Sequence, residues 1–497
     1  EFYDQENDYW NETRPLYSVY DNRLARICSA CSFKEDLYDL IPEVYFKLQE
    51  YSLKSFDEKV VPLLQKQNRL SSEYGKLKAN AQIPYEGKIY NLSTISPFTM
   101  VTDREVRKKA SDAKYKFYQD NEAEFDRIYD ELVKVRTQIA KELGYQTYTE
   151  LAYYMMNRID YNQEMVANYR KQILEHIVPV AAKLAERKRK RLGLEKVTYY
   201  DSGINFLSGN PLPKGNAQEL IAKAQKMYHE MSPETAEFID VMVNDEIWDL
   251  ESKDGKEMGG YCLSLDEFEV PFIFANFNGT SGDVDVLTHE AGHAFQYYCS
   301  RKLPIFDLHW ATMESSEIHS MTMEFNAWPW MKDFFEEDET KYKFLHLGGT
   351  INFLPYGVLV DHFQHEVYNH PEMSPEERKA CWKKLQALYM PYADYEGCEI
   401  LEKGCWWYQQ GHIFESPFYY IDYTLAQVCA LQFWVRQQNN DPKAWSDYLH
   451  LCQLGGTLSF TGLVKEAGLK VPFEDGCIAS VVKDIEAYLD NIDDLSL

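Results

Sequence analysis

The residues with the clearest chemistry in this sequence are His289-Glu290-Ala291-Gly292-His293. Two histidines four positions apart share one face of a helix, so their imidazole nitrogens can converge on one cation. Zinc takes imidazole nitrogen readily, and a glutamate beside the first histidine can reach a water on such an ion. That is the chemistry of metal-assisted peptide hydrolysis. The pattern needs a helix beneath it and a third ligand.

The helix is legible. Ser281-Gly282-Asp283 supplies turn and N-cap residues, Val284, Leu287, Ala291, Ala294 and Tyr298 recur at helical spacing, and Arg301-Lys302 before Pro304 close the segment. Asp285, His289 and His293 stack on one stripe, so Asp285 is expected to accept the second N–H of His289 and fix its tautomer. The third ligand is expected in a second helical stretch, where Glu314, Glu317 and Glu324 fall near one face. Spacing alone leaves the choice among these acids open. His319 lies off that face and reads as a packing or surface residue.

Hydrolysis also needs a group to hold the oxyanion formed when water adds to a peptide carbonyl. His412, Tyr419, Tyr420 and Tyr423 share one aromatic segment, and Tyr420 and Tyr423 are an i,i+3 pair whose hydroxyls can point one way. In a chain with 37 Tyr, an aromatic core stripe is the competing reading. Upstream, Pro271 to Phe277 before Asn278-Gly279 is the most β-prone run. As an edge strand it would pair with the backbone of an extended peptide through Phe274, Ala275 and Asn276; an interior strand is the alternative.

Together the HEAGH helix, the following "EIHSMTME" and the later "GHIFESPFYYIDY" resemble the oligoendopeptidase F and thimet oligopeptidase group of zinc metallopeptidases, most nearly its shorter oligoendopeptidase F-like branch. Segments such as "GKIYNLSTISPF", "GGYCLSLDEFEVPFIFANFNGT" and "VDHFQHEVYNHPEMSPEER" extend the similarity from about Pro84 to about Phe460. The resemblance implies one zinc ion per chain held by His289, His293 and Glu317, with Glu290 as general base and Glu324 behind the ligands. It assigns His412 and the tyrosines to substrate positioning and oxyanion stabilisation, Tyr419 among them. The principal donor stays open between Tyr423, the first choice, and Tyr420. It also implies two helical lobes around a deep channel that admits short unfolded peptides.

Long charged amphipathic patterns dominate the chain: Leu24–Leu53, Glu58–Ala79, Asp103–Leu143, Thr147–Met156, Asn162–Leu192, Ala217–His229 and most of the chain from Pro233 onward. The expected fold is mainly α, with a small β-sheet beside the HEAGH helix. The Gly-, Pro- and Asn-rich loop Asp201–Asn216 is the clearest break, dividing an N-terminal helical lobe, 1–200, from a catalytic lobe, 201–497; one continuous fold shared by both is the alternative.

A net charge of -27 argues against a phosphate-binding surface, so no nucleic-acid partner is expected, and Arg187 to Arg191 reads as a solvated helix face. No apolar run reaches membrane-spanning length. Ten scattered Cys, including the lone Cys28-x-x-Cys31, fit free thiols in a cytoplasmic setting. His362, His365 and Glu366 match no metal-ligand order. The expected activity is therefore zinc-dependent hydrolysis of internal bonds in short peptides. The alternatives are a carboxypeptidase or dipeptidyl carboxypeptidase with the same metal site and, from another class, a non-catalytic peptide-binding protein.

Overall fold

A computed structural model describes residues 13–497 apart from 254, 255, 257 and 258, together with residues 5 and 9. The chain is mainly helical, as its patterning predicts. Its strands form an antiparallel hairpin, β1 (Ile83–Tyr85) with β2 (Lys88–Tyr90), and a three-stranded sheet of β3 (Trp248–Glu251), β4 (Tyr261–Leu265) and β5 (Val270–Phe277). Among the described residues no helix is long and apolar enough to cross a membrane.

Several long periodic stretches break where backbone chemistry overrides the pattern. Leu24–Leu53 is not continuous: one helix ends at Ala30 and the next runs Glu43–Ser55, directly after Pro42. Proline holds the preceding residue extended and lacks an N–H to continue a ladder. Asp103–Leu143 divides at Asn121, whose side-chain amide donates to the Phe117 carbonyl at 2.8 Å and ends the first helix. Within Asn162–Leu192 the ladder widens to a π turn over Ile173–Ile177, just before Pro179, which has no N–H to offer.

The chain forms two compact units, each discontinuous in sequence. One comprises Glu1–Val166, Val197–Gly203 and Tyr356–Ile421; the other Ala167–Lys196, Ile204–Pro355 and Asp422–Leu497. The sequential division between 200 and 201 is therefore not the one observed. One crossing does fall in the Asp201–Asn216 loop, but three others lie within the helices Gln163–Gln172, Glu339–Asn369 and Tyr420–Gln438.

The first unit is built on an aromatic core. Tyr74 stacks on Phe414 with ring centroids 4.0 Å apart, and Phe125 stacks on Tyr408 at 5.1 Å. In the second unit the sheet lies against the HEAGH helix. The strand order is β3-β5-β4, with β5 parallel to β3 and antiparallel to β4. β5 is thus the interior strand, and the expectation of a free edge at Pro271–Phe277 is corrected. Ile273 and Ala275, on one face of the strand, are buried.

Candidate active site

The HEAGH pentapeptide lies in the helix Gly282–Ser300. At its start the Asp283 carboxylate accepts the Asn278 and Gly279 N–H groups at 2.9 and 2.8 Å, which ties the incoming turn to the first helical residues. Val284, Leu287, Ala291 and Ala294 are buried, so the apolar face is the one the spacing predicts. The facing helix, Met313–Asn326, comes unusually close. A Cβ on Gly292 would lie 2.6 Å from Ser320 Cα and 2.8 Å from the His319 carbonyl oxygen. Only glycine permits that approach, and it brings Glu317 to the two histidines.

His289 Nε2 and His293 Nε2 lie 3.3 and 3.5 Å from Glu317 Oε2. Their donor atoms all fall within 4.8 Å of one another, which among the described residues makes this the group able to hold a metal ion. Burial opposes charge on Glu317, but His293 and His289 outweigh it and hold the carboxyl far below its usual range. Glu324 is likewise brought down to about 2, against its own burial, by hydrogen bonds from His289 and His346. Two imidazole nitrogens and a carboxylate oxygen this close form an N,N,O donor set that suits zinc. Glu290 is 6% exposed, and its Oε2 has no hydrogen-bond partner among the described residues. Burial pushes its pKa up. Such a carboxylate fits a position beside a water on the ion.

Of the two acids expected behind the ligands, Glu324 and not Asp285 serves His289. His289 Nδ1 pairs with Glu324 Oε1 at 2.7 Å, whereas Asp285 accepts the Tyr342 hydroxyl at 2.6 Å. The stripe places Asp285 one turn from His289, but the neighbouring helix delivers Glu324 closer and Tyr342 claims Asp285. Burial pushes the Asp285 carboxyl up to about 6, although His346 and Tyr342 pull the other way. Glu324 Oε2 also pairs with His346 Nε2 at 2.7 Å, and Trp328 Nε1 donates to His346 Nδ1 at 3.1 Å. This second layer of Trp328, Tyr342 and His346 escaped the sequence reading. Tyr342 and His346 do sit at i,i+4, a spacing that marks a shared face but not what the face meets.

His319 is fully buried and packs; burial lowers its pKa to about 3 and keeps the ring neutral. His362 and His365 join no metal group: His362 Nδ1 lies 3.0 Å from the Tyr389 hydroxyl and His365 Nε2 3.3 Å from that of Tyr153.

In the first unit His412 lies in the short helix Gly411–Glu415, with ring centroids 5.6 Å from Tyr419 and 4.9 Å from Tyr420. Gln410 Nε2 lies 2.7 Å from His412 Nδ1, and its Oε1 accepts the Tyr356 hydroxyl at 2.7 Å. In this arrangement Gln410 donates to Nδ1, which leaves the imidazole proton on Nε2 as a donor. Burial raises the Tyr420 phenol, so it too stays protonated and able to donate. Tyr356 and Gln410 were missed, because nothing in their spacing ties them to His412. Tyr423 lies in the helix Tyr420–Gln438, in the second unit, and is half-buried.

The strand residues assigned to substrate take other roles. Phe274 pairs with Asp249 on one side and Tyr261 on the other and stacks on the Tyr261 ring at 4.8 Å. Ala275 is fully buried and its carbonyl accepts Lys256 Nζ at 2.5 Å, while the Asn276 amide donates to the Gly259 carbonyl at 3.0 Å. β3 and β4 are the two edge strands of the sheet. Just before β4 a Cβ on Gly260 would meet Glu290 Oε1 at 3.3 Å, so Gly260, not singled out from sequence, passes beside the buried glutamate.

Residues 98–482 match the profile of Peptidase family M3, and residues 1–56 match the Peptidase M3 N-terminal domain. The whole chain superposes on a crystal structure assigned as an oligoendopeptidase F with a TM-score of 0.97 at 51% identity, covering 88% of that chain. PZ peptidase A, crystallised with an inhibitor, gives the same TM-score, identity and coverage. A structure from Bacillus anthracis str. Ames, also assigned as an oligoendopeptidase F, gives 0.92 at 49% identity, covering all of this chain and 87% of that one. No curated protein matches the chain. The chain belongs to peptidase family M3.

Proposed function

We propose that this peptidase is a zinc-dependent oligoendopeptidase that hydrolyses internal bonds of short unfolded peptides. The observation that carries the reading is the convergence of His289 Nε2, His293 Nε2 and Glu317 Oε2 beside the buried Glu290 carboxylate. Bound zinc supplies Lewis-acid chemistry, lowering the pKa of water and polarising the scissile carbonyl.

Glu290 Oε2 takes a proton from the attacking water and returns it to the leaving amine nitrogen, a role that suits a buried carboxylate of raised pKa. Glu324 orients His289 through Nδ1, so that Nε2 is the ligating nitrogen. His412 Nε2–H and the Tyr420 phenol are assigned to the carbonyl oxygen of the substrate, where they hold the developing negative charge. Tyr423 is assigned to the same oxyanion role and Tyr419 to the substrate chain, on the family pattern "GHIFESPFYYIDY".

Pairing with the substrate backbone moves from β5 to β4. An edge strand offers its outer row of backbone groups to an extended peptide without reading its side chains, and Tyr261, Leu263 and Leu265 are exposed along it. All ten Cys are free, which favours a cytoplasmic setting.

Mass spectrometry of products from a mixed-length peptide library, with and without a chelator, tests the reading. Internal cleavage confined to short peptides and abolished by the chelator is the expected result. Removal of C-terminal residues alone, lost on amidation, would overturn the endopeptidase assignment, and chelator-resistant cleavage would overturn the metal.

A further inference from the structure

Between His412 and Tyr420 the backbone makes a turn that its sequence disfavours. The Tyr419 N–H donates to the Ser416 carbonyl at 3.2 Å, closing a β-turn with Pro417 at its second position and Phe418 at its third. Phe418 has φ of 68°. A positive φ at the third position belongs to the type II family, where glycine or asparagine normally stands, and for a bulky aromatic residue it is strained.

Such a conformation persists only where its surroundings hold it. Phe418 is fully buried, and both of its backbone polar groups are taken by buried side chains. Its N–H donates to Gln364 Oε1 at 2.9 Å, and its carbonyl accepts Arg158 Nη2 at 2.5 Å. Gln364 is fully buried and Arg158 is 2% exposed. The ring is clamped as well, with centroids 5.1 Å from His365 and 5.6 Å from Tyr368. Between His412 and the turn, Arg136 reaches the same segment from the core, donating to the Ile413 and Phe414 carbonyls at 3.3 and 2.5 Å. Arg136 and Arg158 both donate to main-chain carbonyls of the segment that carries His412 and Tyr420.

We propose that Gln364 and Arg158 are positioning residues for the reaction, holding Phe418 in its left-handed turn so that Tyr420 and His412 are set in register as hydrogen-bond donors. This rests on the assignment of His412 and Tyr420 to the substrate carbonyl. The turn fixes where the Tyr420–Gln438 helix begins relative to His412, and a relaxed turn rotates the first residue of that helix, which is Tyr420 itself. Pre-organised donors cost no rearrangement when charge develops, so loosening the turn acts on the rate more than on substrate binding.

The test is a kinetic double-mutant cycle on the full-length, zinc-loaded protein. Gln364→Leu is expected to lower kcat by about 10- to 100-fold with KM little changed, a size set by small misplacements of reacting groups. In a Tyr420→Phe background, where the phenol is already gone and only the share acting through His412 remains, the same change is expected to cost distinctly less. Equal losses in both backgrounds, or an unchanged kcat for folded Gln364→Leu beside a slow Tyr420→Phe, would overturn the positioning role. A wild-type rate for both Tyr420→Phe and His412→Ala would instead overturn the underlying site, and the inference with it. If Gln364→Leu does not fold, Phe418→Gly against Phe418→Ala serves the same end: both lose the ring, but only alanine resists the positive φ. A faster glycine variant supports the role, and equal rates refute it.

Discussion

Gly292 and Ser320 meet so closely that a Cβ on the glycine would stand 2.6 Å from the serine Cα. This contact sets the spacing between the two helices that carry the proposed zinc ligands. Gly292→Ala must push them apart. Overpacking a core costs about 1–3 kcal/mol, and here the displacement falls on Glu317, so lower stability and weaker zinc binding are expected together. Thermal melting and metal titration of the variant check this; wild-type values in both would remove the helix contact from the account of the site.

Much of the site was legible because helical spacing is a local rule. His289, His293 and their neighbouring acids needed only a period of 3.6 residues to fall on facing stripes. What spacing could not rank was which acid serves which histidine: that depends on how two helices pack, and Asp285 lost its expected partner to Glu324 while gaining Tyr342 from 57 residues away. The strand was found, but its place in the sheet was not, since β3 and β4 are only four and five residues long. The two units were obscured for a different reason, their crossings at Ala167, Tyr356 and Asp422 falling inside helices. Phe418 left no trace in sequence, because its conformation is imposed by Gln364 and Arg158 rather than announced by a glycine.

The contrast between Glu324 and Asp285 can be measured. Removing an acid that orients a metal-ligating histidine typically weakens metal binding by about 10- to 100-fold. Glu324→Ala is expected to show that loss in competition with a chelator, since the carboxylate serves both His289 and His346. Asp285→Asn should leave zinc affinity much closer to wild type, because its partner is the Tyr342 hydroxyl. The reverse order would restore Asp285 as the residue behind His289.

Glu290→Gln preserves shape while removing the ability to take a proton. Zinc content is expected to match wild type, with kcat reduced by about 10²- to 10⁴-fold, the usual range for loss of a general base. A metal-replete variant with full turnover would exclude Glu290 from proton transfer.

A stability test bears on the other unit. Asp201 is fully buried and accepts bonds from Arg104 Nη2 and Arg107 Nη2 at 2.8 Å each, with the Thr198 N–H at 3.1 Å. Burial pushes its carboxyl up, but the two guanidinium groups outweigh it and hold the pKa below the ordinary value. A carboxyl depressed on folding stabilises the fold at pH above its unfolded value, about 3.9, and that contribution is lost as the pH falls through the folded value. Asp201→Asn removes it and leaves Arg107, only 4% exposed, without its counter-charge. Breaking a buried pair in this way costs about 3–5 kcal/mol. The melting temperature of the variant is therefore expected to fall well below wild type at pH 7, and the gap to narrow as the pH is lowered past 4 and Asp201 in the wild-type protein takes up its proton. A gap that stays constant through the acid range would mean that the ionised carboxylate is not what holds Arg104 and Arg107 in place.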